Sequence, residues 1–366
     1  YQGEGKDMQT IHIDTETRNY DVLVGKDILG LVGEKTRETA GGTRAFLVSN
    51  VNVDPLYGKQ VTQSLEIAGY EVSKMVVGAG EFIKNMGVLS DMLERMAEAG
   101  LGRDDVVVAL GGGVVGDLAG FAAAVYMRGC KVVQLPTSLL AMVDSSVGGK
   151  TAVDLKAGKN LAGAFFQPRI VIASLNCLGT INKDLFTDSC GEVIKYGVMY
   201  DAALFNELSE KPLNQGDPDY GRLEQVVTRC VEIKRDVVNE DEKETGLRQI
   251  LNLGHTIGHA IEIANDYRLG HGASVAAGMC YIARACSKLN VCTEEDAHKI
   301  VDVVESYGLP TTSEFSTEEL YNHALADKKR HGDAMNVVMI KSIGEVHIEK
   351  MPLPKFKQII ELGKSF

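Results

Sequence analysis

The sequence predicts an α/β N-terminal domain followed by an all-α C-terminal domain, on three observations. From about residue 10 to 178, short β-branched runs alternate with amphipathic segments, the signature of a parallel sheet covered on both faces. Beyond about Leu178 the helical period takes over almost completely. With 366 residues, 45% of them hydrophobic, the chain is long enough for two proper cores.

In the first half (residues 9–178) the expected strands are Tyr20–Val24, Arg44–Val48, Glu71–Val77, Asp105–Leu110, Lys131–Leu135 and Arg169–Ala173. Helices are expected between them at Ile28–Arg37, Leu56–Ile67, Phe82–Ala99 and Val114–Met127. In the second half (residues 179–366) the 3.6-residue period predicts helices over Asp184–Tyr196, Ala202–Glu210, Gly221–Glu240, Ile250–Ala264, Ser274–Leu289, Glu294–Gly308 and Thr317–Lys328. A strand pair, Asn336–Ile340 and Glu345–Ile348, closes the chain. The boundary is expected near Leu178–Asn182, and no repeat or low-complexity segment interrupts either half.

Ligands of such sheets bind at the carboxyl ends of strands. There the chain places GGGVVGD after the run VVVAL: glycines let a backbone approach a ligand, and the following helix offers free N–H groups to a pyrophosphate. The spacing is not a strict GxGxxG, so a merely tight turn is the alternative reading. Ser49-Asn50 and Thr137-Ser138 follow neighbouring strands and add hydroxyl and amide groups. The later GGKT is not a P-loop, because the position five before its second Gly is Asp144. Asp144, Lys150, Lys159 and Asn160 lie in Gly-rich loops suited to an anion.

A net charge of −12 argues against a general nucleic-acid or membrane-surface partner. An anionic small-molecule substrate must then be drawn in by a local cluster of Lys and Arg. The seven cysteines show no CxxC and read as buried free thiols. With no 18-residue apolar run and no signal-peptide pattern, the expectation is a soluble cytoplasmic protein.

Three of the eight histidines, His255, His259 and His271, fall within 17 residues. His255 and His259 share one helical face, so the group is either a nucleus for a divalent metal or a set of core histidines. It is not a zincin motif, since Thr256 stands where HExxH needs its Glu. Nearby, GEVIKYG puts Glu192 and Lys195 three apart on one helix face, and Lys234 and Arg248 add cations.

Six ordered strings resemble the 3-dehydroquinate synthases of the sugar-phosphate cyclase superfamily: GGGVVGDLAGFAAAVYMRG, LPTSLLAMVDSSVGGKTAVDL, GKNLAGAFFQP, GEVIKYG, LNLGHTIGHAIE and HGASVAAGM. The resemblance runs from about Val22 to Ile343. It implies a dehydroquinate synthase-like fold: a Rossmann-like domain binding NAD+, then an α-helical domain holding Zn2+ or Co2+. The active site is implied in the cleft between the two, and the assembly as a homodimer. The metal ligands fall on Glu192, His255 and His271, and His259 moves to the substrate site. The cofactor contacts match Asn50, Asn52, Glu81, Lys84, Gly112, Gly113, Asp117, Thr137, Ser138 and Thr180, with Lys150 and Lys159 shared with the substrate. Asn50 stands where many members carry Asp. The substrate residues match Asp144, Lys150, Lys159, Asn160, Lys195, Lys234, Arg248, Asn252 and His259. Arg128 matches an arginine that reaches the neighbouring subunit's site. A C-terminal lysine of the pattern matches Lys328, Lys329 or Lys341.

The implied reaction converts 3-deoxy-D-arabino-heptulosonate 7-phosphate to 3-dehydroquinate and phosphate: transient oxidation at C5, loss of phosphate, re-reduction, and ring opening and closure to a carbocycle. Other cyclases of the superfamily differ at the positions matching Asn160 and His259, where this chain keeps the dehydroquinate-synthase type. A metal-dependent polyol dehydrogenase would release NADH, and a non-catalytic relative has no need of three metal ligands.

Overall fold

The computed structural model describes residues 8–215, 220–327 and 332–366. In chain order the elements are β1 (Met8–Asp14), β2 (Asn19–Gly25), α1 (Val32–Ala40), β3 (Arg44–Asn50), α2 (Lys59–Ile67), β4 (Glu71–Val77), α3 (Met86–Glu98), β5 (Val106–Gly111), α4 (Gly113–Val125), β6 (Lys131–Pro136), β7 (Lys150–Leu155), β8 (Gly158–Phe165) and β9 (Ile170–Ser174). Then follow α5 (Lys183–Met199), α6 (Ala202–Glu210), α7 (Tyr220–Glu240), α8 (His255–Ala264), α9 (His271–Lys288), α10 (Glu294–Ser306), α11 (Thr317–Asp327), β10 (Ala334–Ser342), β11 (Glu345–Pro352) and α12 (Leu353–Gly363). The chain forms two compact units, Tyr1–Ile181 with Pro218–Lys243, and Asn182–Asp217 with Glu244–Phe366.

The first unit is built on a seven-stranded sheet of order β1-β2-β9-β6-β5-β3-β4, parallel except for the β1–β2 pair. Its central strands are buried end to end: VVVALG in β5 and IVIAS in β9 are apolar without alternation because helices cover both faces. All six expected strands are present. β1 and the antiparallel β7–β8 hairpin are additional. The chain leaves β3 toward β4 at one edge and returns to place β5 on the other side of β3, so the order reverses between β3 and β5.

One helix lies elsewhere than expected. Tyr220–Glu240 carries the period of the helical half, yet it belongs to the first unit. Its buried stripe of Leu223, Val226, Val227, Cys230 and Val231 packs toward β1 and β2, burying apolar surface that the sheet edge would otherwise expose.

The second unit is organised around α9, buried without interruption from Gly272 to Cys286 and packed against α5, α8, α10 and α12. Its composition of Gly, Ala, Ser and Cys lets neighbouring backbones come close. The expected helix Ile250–Ala264 is two pieces: a 3₁₀ turn over Leu247–Asn252, then α8 from His255. The break falls at Gly254, whose φ of 76° is the left-handed region and whose added Cβ would stand 2.6 Å from the Val275 carbonyl. Apolar periodicity runs through this point and hides the break. The strand pair β10–β11 is longer than expected, and α12 after it carries a Pro in its first turn. Among the described residues no helix is long and apolar enough to cross a membrane.

Candidate active site

The sequence-derived metal residues meet at one point in the second unit. Glu192 Oε1 lies 3.3 Å from His255 Nε2 and 3.4 Å from His271 Nε2. Helix packing explains the meeting. A Cβ on Gly191 of α5 would stand 2.2 Å from the Gly272 carbonyl of α9, and one on Gly278 of α9 would stand 2.1 Å from the Gly254 carbonyl ahead of α8. Each ligand candidate therefore sits beside a glycine that allows its helix to approach the next. Asp188, one turn before Glu192, accepts the Ala273 N–H at 2.8 Å and so fixes the N-terminus of α9, where His271 stands.

The cluster offers the donor atoms that a cation would need. Glu192 is fully buried, and neither of its carboxylate oxygens accepts a well-aligned hydrogen bond. A buried carboxylate so placed is costly unless a positive partner meets it. Lys195, 1% exposed, supplies one by contacting Oε2. Four donors around an ion at about 2.1 Å stand about 3.4 Å apart at a tetrahedral site, the separation found from Glu192 to each imidazole. Each histidine turns its other nitrogen to an orienting acceptor: His255 Nδ1 lies 3.2 Å from the Leu253 carbonyl, and His271 Nδ1 lies 3.4 Å from Glu262 Oε2.

The charges follow from this packing. Burial opposes ionisation of Glu192, but the Lys195 ammonium against it outweighs that and holds the carboxyl well below its ordinary range. Burial, with Lys195 adding to it, holds His255 neutral. Burial disfavours a charge on His271 too, yet the carboxylates of Glu192 and Glu262 beside it push it up to about 10. His259 joins the group, its ring centroid 5.4 Å from that of His255 and 5.6 Å from that of His271. Ring nitrogens of all three histidines lie within 4.8 Å of one another, so a three-histidine ligand set is the geometric competitor of the carboxylate set. The buried, hydrogen-bond-poor Glu192 favours the carboxylate set. Arg248 is buried in the same unit, and Asn252 Nδ2 donates to Glu244 Oε1 at 2.7 Å.

In the first unit, most cofactor candidates follow carboxyl ends of parallel strands, whereas Lys150 and Lys159 lie on the antiparallel β7–β8 hairpin. Asn50 ends β3, and its Oδ1 accepts the N–H groups of Asn52 and Val53, both at 3.0 Å. That oxygen is committed to the turn, and a ligand hydroxyl would meet the amide NH2 instead. Gly112 and Gly113 follow β5 at the start of α4, where added Cβ atoms would meet Ser138 Oγ at 3.4 Å and Ser145 Oγ at 3.0 Å. Thr137 and Ser138 follow β6, with the Thr137 N–H donating to the Gly111 carbonyl at 2.9 Å. Thr180, after β9, shares a 2.6 Å hydrogen bond with Tyr57. The reversal of strand order between β3 and β5 puts Asn50 and the glycines at the position where open α/β sheets bind ligands.

Lys84 is the node of this half. Its Nζ donates to Asp117 Oδ2 and to Asn160 Oδ1, each at 2.6 Å, and lies 3.8 Å from Glu81. Burial opposes its charge, but Asp117 and Glu81 outweigh it and raise its pKa. Burial pushes the Asp117 carboxyl up, against the pull of Lys84. Lys159 Nζ lies 3.9 Å from Glu81, so Glu81, Lys84, Asp117, Lys159 and Asn160 form one group. Lys234 is buried and donates to Asp144 Oδ1 at 2.6 Å. Lys150 is exposed at the start of β7. Arg128 is exposed on a turn where it and Met127 both take positive φ. Lys341 is exposed on β10 and pairs with Glu345 at 2.9 Å, while Lys328 and Lys329 lie outside the described residues. Asp188, Glu262 and Glu244 escape motif reading. Their signal is weak: Glu262 is the single acid in the apolar run Ile257–Ala264, and Asp188 lies i−4 from Glu192. All seven cysteines are buried and free.

The family description 3-dehydroquinate synthase N-terminal matches residues 74–188, and 3-dehydroquinate synthase C-terminal matches residues 189–330. The chain is 40% identical over 346 residues to the 3-dehydroquinate synthase of Clostridium acetobutylicum, covering 94% of this chain and 97% of that one. It is 41% identical over 352 residues to the 3-dehydroquinate synthase of Caulobacter vibrioides, covering 94% and 95%. The fold matches a 2-deoxy-scyllo-inosose synthase solved with carbaglucose-6-phosphate, NAD+ and Co2+, at TM-score 0.87 and 24% identity over 96% of this chain and 99% of that one. It also matches a 2-epi-5-epi-valiolone synthase from Streptomyces hygroscopicus subsp. jinggangensis solved with NAD+ and Zn2+, at TM-score 0.85 and 24% identity over 94% and 95%. Since both family descriptions match in order and the identity extends over nearly all of each relative, the chain belongs to the 3-dehydroquinate synthase family.

Proposed function

We infer that the chain converts 3-deoxy-D-arabino-heptulosonate 7-phosphate to 3-dehydroquinate and inorganic phosphate, the second step of the shikimate route to aromatic amino acids. It is a phosphate-eliminating carbon–oxygen lyase that uses NAD+ and Zn2+ or Co2+. The observation that carries the reading is the buried group of Glu192, His255 and His271 with Lys195 against it, in a chain about 40% identical to curated synthases over 94% of its length. Glu192, His255 and His271 would hold the ion, and Gly112, Gly113, Asp117, Thr137, Ser138 and Thr180, with Asn50, Asn52, Glu81 and Lys84, would hold NAD+. When bound, the two supply a Lewis acid for the substrate hydroxyls and a transient hydride acceptor.

The chain's own residues do the rest. The substrate carries a phosphate and a carboxylate, and Lys150, Lys159, Lys195, Lys234 and Arg248 supply the matching cations. Asn160, Asn252 and His259 donate hydrogen bonds to phosphate oxygens. Holding those oxygens over the C6 proton lets the leaving group remove it, so positioning is the protein's main contribution. Asp144, paired with Lys234, orients that lysine. Arg128, exposed on its turn, serves the neighbouring subunit of a homodimer, and the family's C-terminal lysine is Lys328, Lys329 or Lys341, of which Lys341 lies among the described residues. The enzyme works in the cytoplasm.

The test is incubation with the heptulosonate phosphate, catalytic NAD+ and Zn2+ or Co2+, assaying phosphate and dehydroquinate together with a chelator control. Equal release of both products with no net NADH supports the reading. Net NADH formation from a simple polyol, without phosphate release, refutes it.

A further inference from the structure

Within the first unit, α7 and the residues just after it hold the loop Asp144–Lys150 at both ends. At one end, the buried Lys234 donates to Asp144 Oδ1 at 2.6 Å and also to the Asp144 carbonyl. In the middle, the Gly148 N–H donates to the Tyr20 hydroxyl at 3.0 Å. At the far end, Gly148 and Gly149 turn in succession with φ of 92° and 69°. The Gly149 carbonyl accepts the Phe166 N–H at 2.7 Å, and a Cβ on Gly149 would stand 2.7 Å from Gln167 Cδ. The turn therefore rests directly on the Gln167 amide.

That amide is set by Glu242. Gln167 is buried, its Nε2 donates to Glu242 Oε1 at 2.8 Å, and its Oε1 accepts no hydrogen bond. Glu242, two residues past the end of α7 and itself buried, also accepts the Thr17 N–H at 3.0 Å and the Thr17 hydroxyl. Burial opposes its charge, but the bonds from Thr17 and Gln167 keep its carboxyl below the usual range. An ionised carboxylate only accepts, so it dictates which way the Gln167 amide faces.

We propose that Glu242, acting through Gln167, is a positioning residue for Lys150: it fixes the Gly148–Gly149 turn that presents this lysine to the anionic substrate. This deepens the functional reading above and rests on it. It also gives a reason for a helix from the second half of the sequence to belong to the first unit.

The test compares Gln167→Met, Glu242→Gln and the double variant, in the full-length enzyme with metal and NAD+. Each single variant should raise KM for the heptulosonate phosphate about tenfold, because a displacement well under 1 Å at a charged contact is felt strongly, while Kd for Zn2+, whose ligands lie in the second unit, stays within about twofold. The double variant should be no worse than the worse single one, as expected for two residues acting in series. Gly149→Ala presses on the same turn from the other side, leaves both side chains in place, and should give the same split; it decides the matter if Gln167→Met does not fold. Additive effects, or a Kd for Zn2+ that rises as much as the KM for the sugar phosphate, would overturn the proposal. Should the wild-type protein not turn over the sugar phosphate at all, the functional reading fails by itself. Hydrogen exchange then decides the proposal: amides of residues 146–150 exchange about tenfold faster in Gln167→Met if it holds, and at the wild-type rate if it does not.

Discussion

Replacing Glu262 with Gln takes a charge from behind His271 while keeping the side chain's shape. Glu262 Oε2 lies 3.4 Å from His271 Nδ1, at the long end for a hydrogen bond, and both groups sit in a largely buried cluster. Losing such an orienting partner typically costs ten- to a hundredfold in metal affinity, and the long contact places this one near the lower end: about tenfold, or about 1.4 kcal/mol. The assay is a titration of metal-stripped protein with Zn2+ in a chelator buffer, read by calorimetry and by recovered activity. The kcat at saturating metal should stay within about twofold of wild type, because Glu262 touches the ligand and not the substrate. A Kd for Zn2+ that changes less than twofold would refute the claim that Glu262 orients His271.

Three further outcomes follow from the packing. His259→Ala should lower kcat at least about a hundredfold with little change in Tm, whereas Lys195→Ala should also destabilise the metal-free protein by about 3 kcal/mol or more, because Glu192 is left buried without its cation; thermal melts with and without Zn2+ separate the two. Gly191→Ala puts a Cβ 2.2 Å from the Gly272 carbonyl, and restoring ordinary contact near 3.4 Å moves α5 from α9 by roughly 1 Å, so Zn2+ affinity should fall more than tenfold in the same titration. Asp105 is held below the ordinary carboxylate range: burial works against its charge, but the N–H groups of Gly102, Thr43 and Arg44 outweigh it. Its contribution to stability is therefore whole above about pH 4 and is lost as pH falls through the lowered value, so Asp105→Asn should flatten the acid limb of a denaturation series below about pH 4.

Much of the first unit is legible in the sequence because buried parallel strands leave unbroken apolar runs. VVVAL and IVIAS can be little else, and the glycines after VVVAL mark the ligand end of the sheet. The β7–β8 hairpin leaves no such trace, since its glycines, lysines and half-exposed residues read as a loop. Periodicity also cannot say what a helix packs against, which is why α7 reads as part of the helical half although its apolar stripe covers β1 and β2. In the second unit, His255 and His259 announce themselves by spacing. Glu192 is a candidate as a hard oxygen ligand, with a surface ion pair to Lys195 as the alternative, and the resemblance assigns it to the metal; what brings it to the histidines is the glycine contacts between helices, which depend on distance in space. Asp188 and Glu262 show their part only once α5, α8 and α9 are seen together. Lys84, Asp117 and Asn160 lie 33 and 76 residues apart from one another in the pairs they form, so no local pattern joins them.

The account stands on which atoms hold the divalent ion. Metal content and cobalt absorption measured side by side for the wild type, Glu192→Ala and His259→Ala address this directly. One ion per chain in the wild type and in His259→Ala, with none retained by Glu192→Ala, is the expected pattern. Retention by Glu192→Ala with loss from His259→Ala would put the ion on three imidazoles and contradict the assignment.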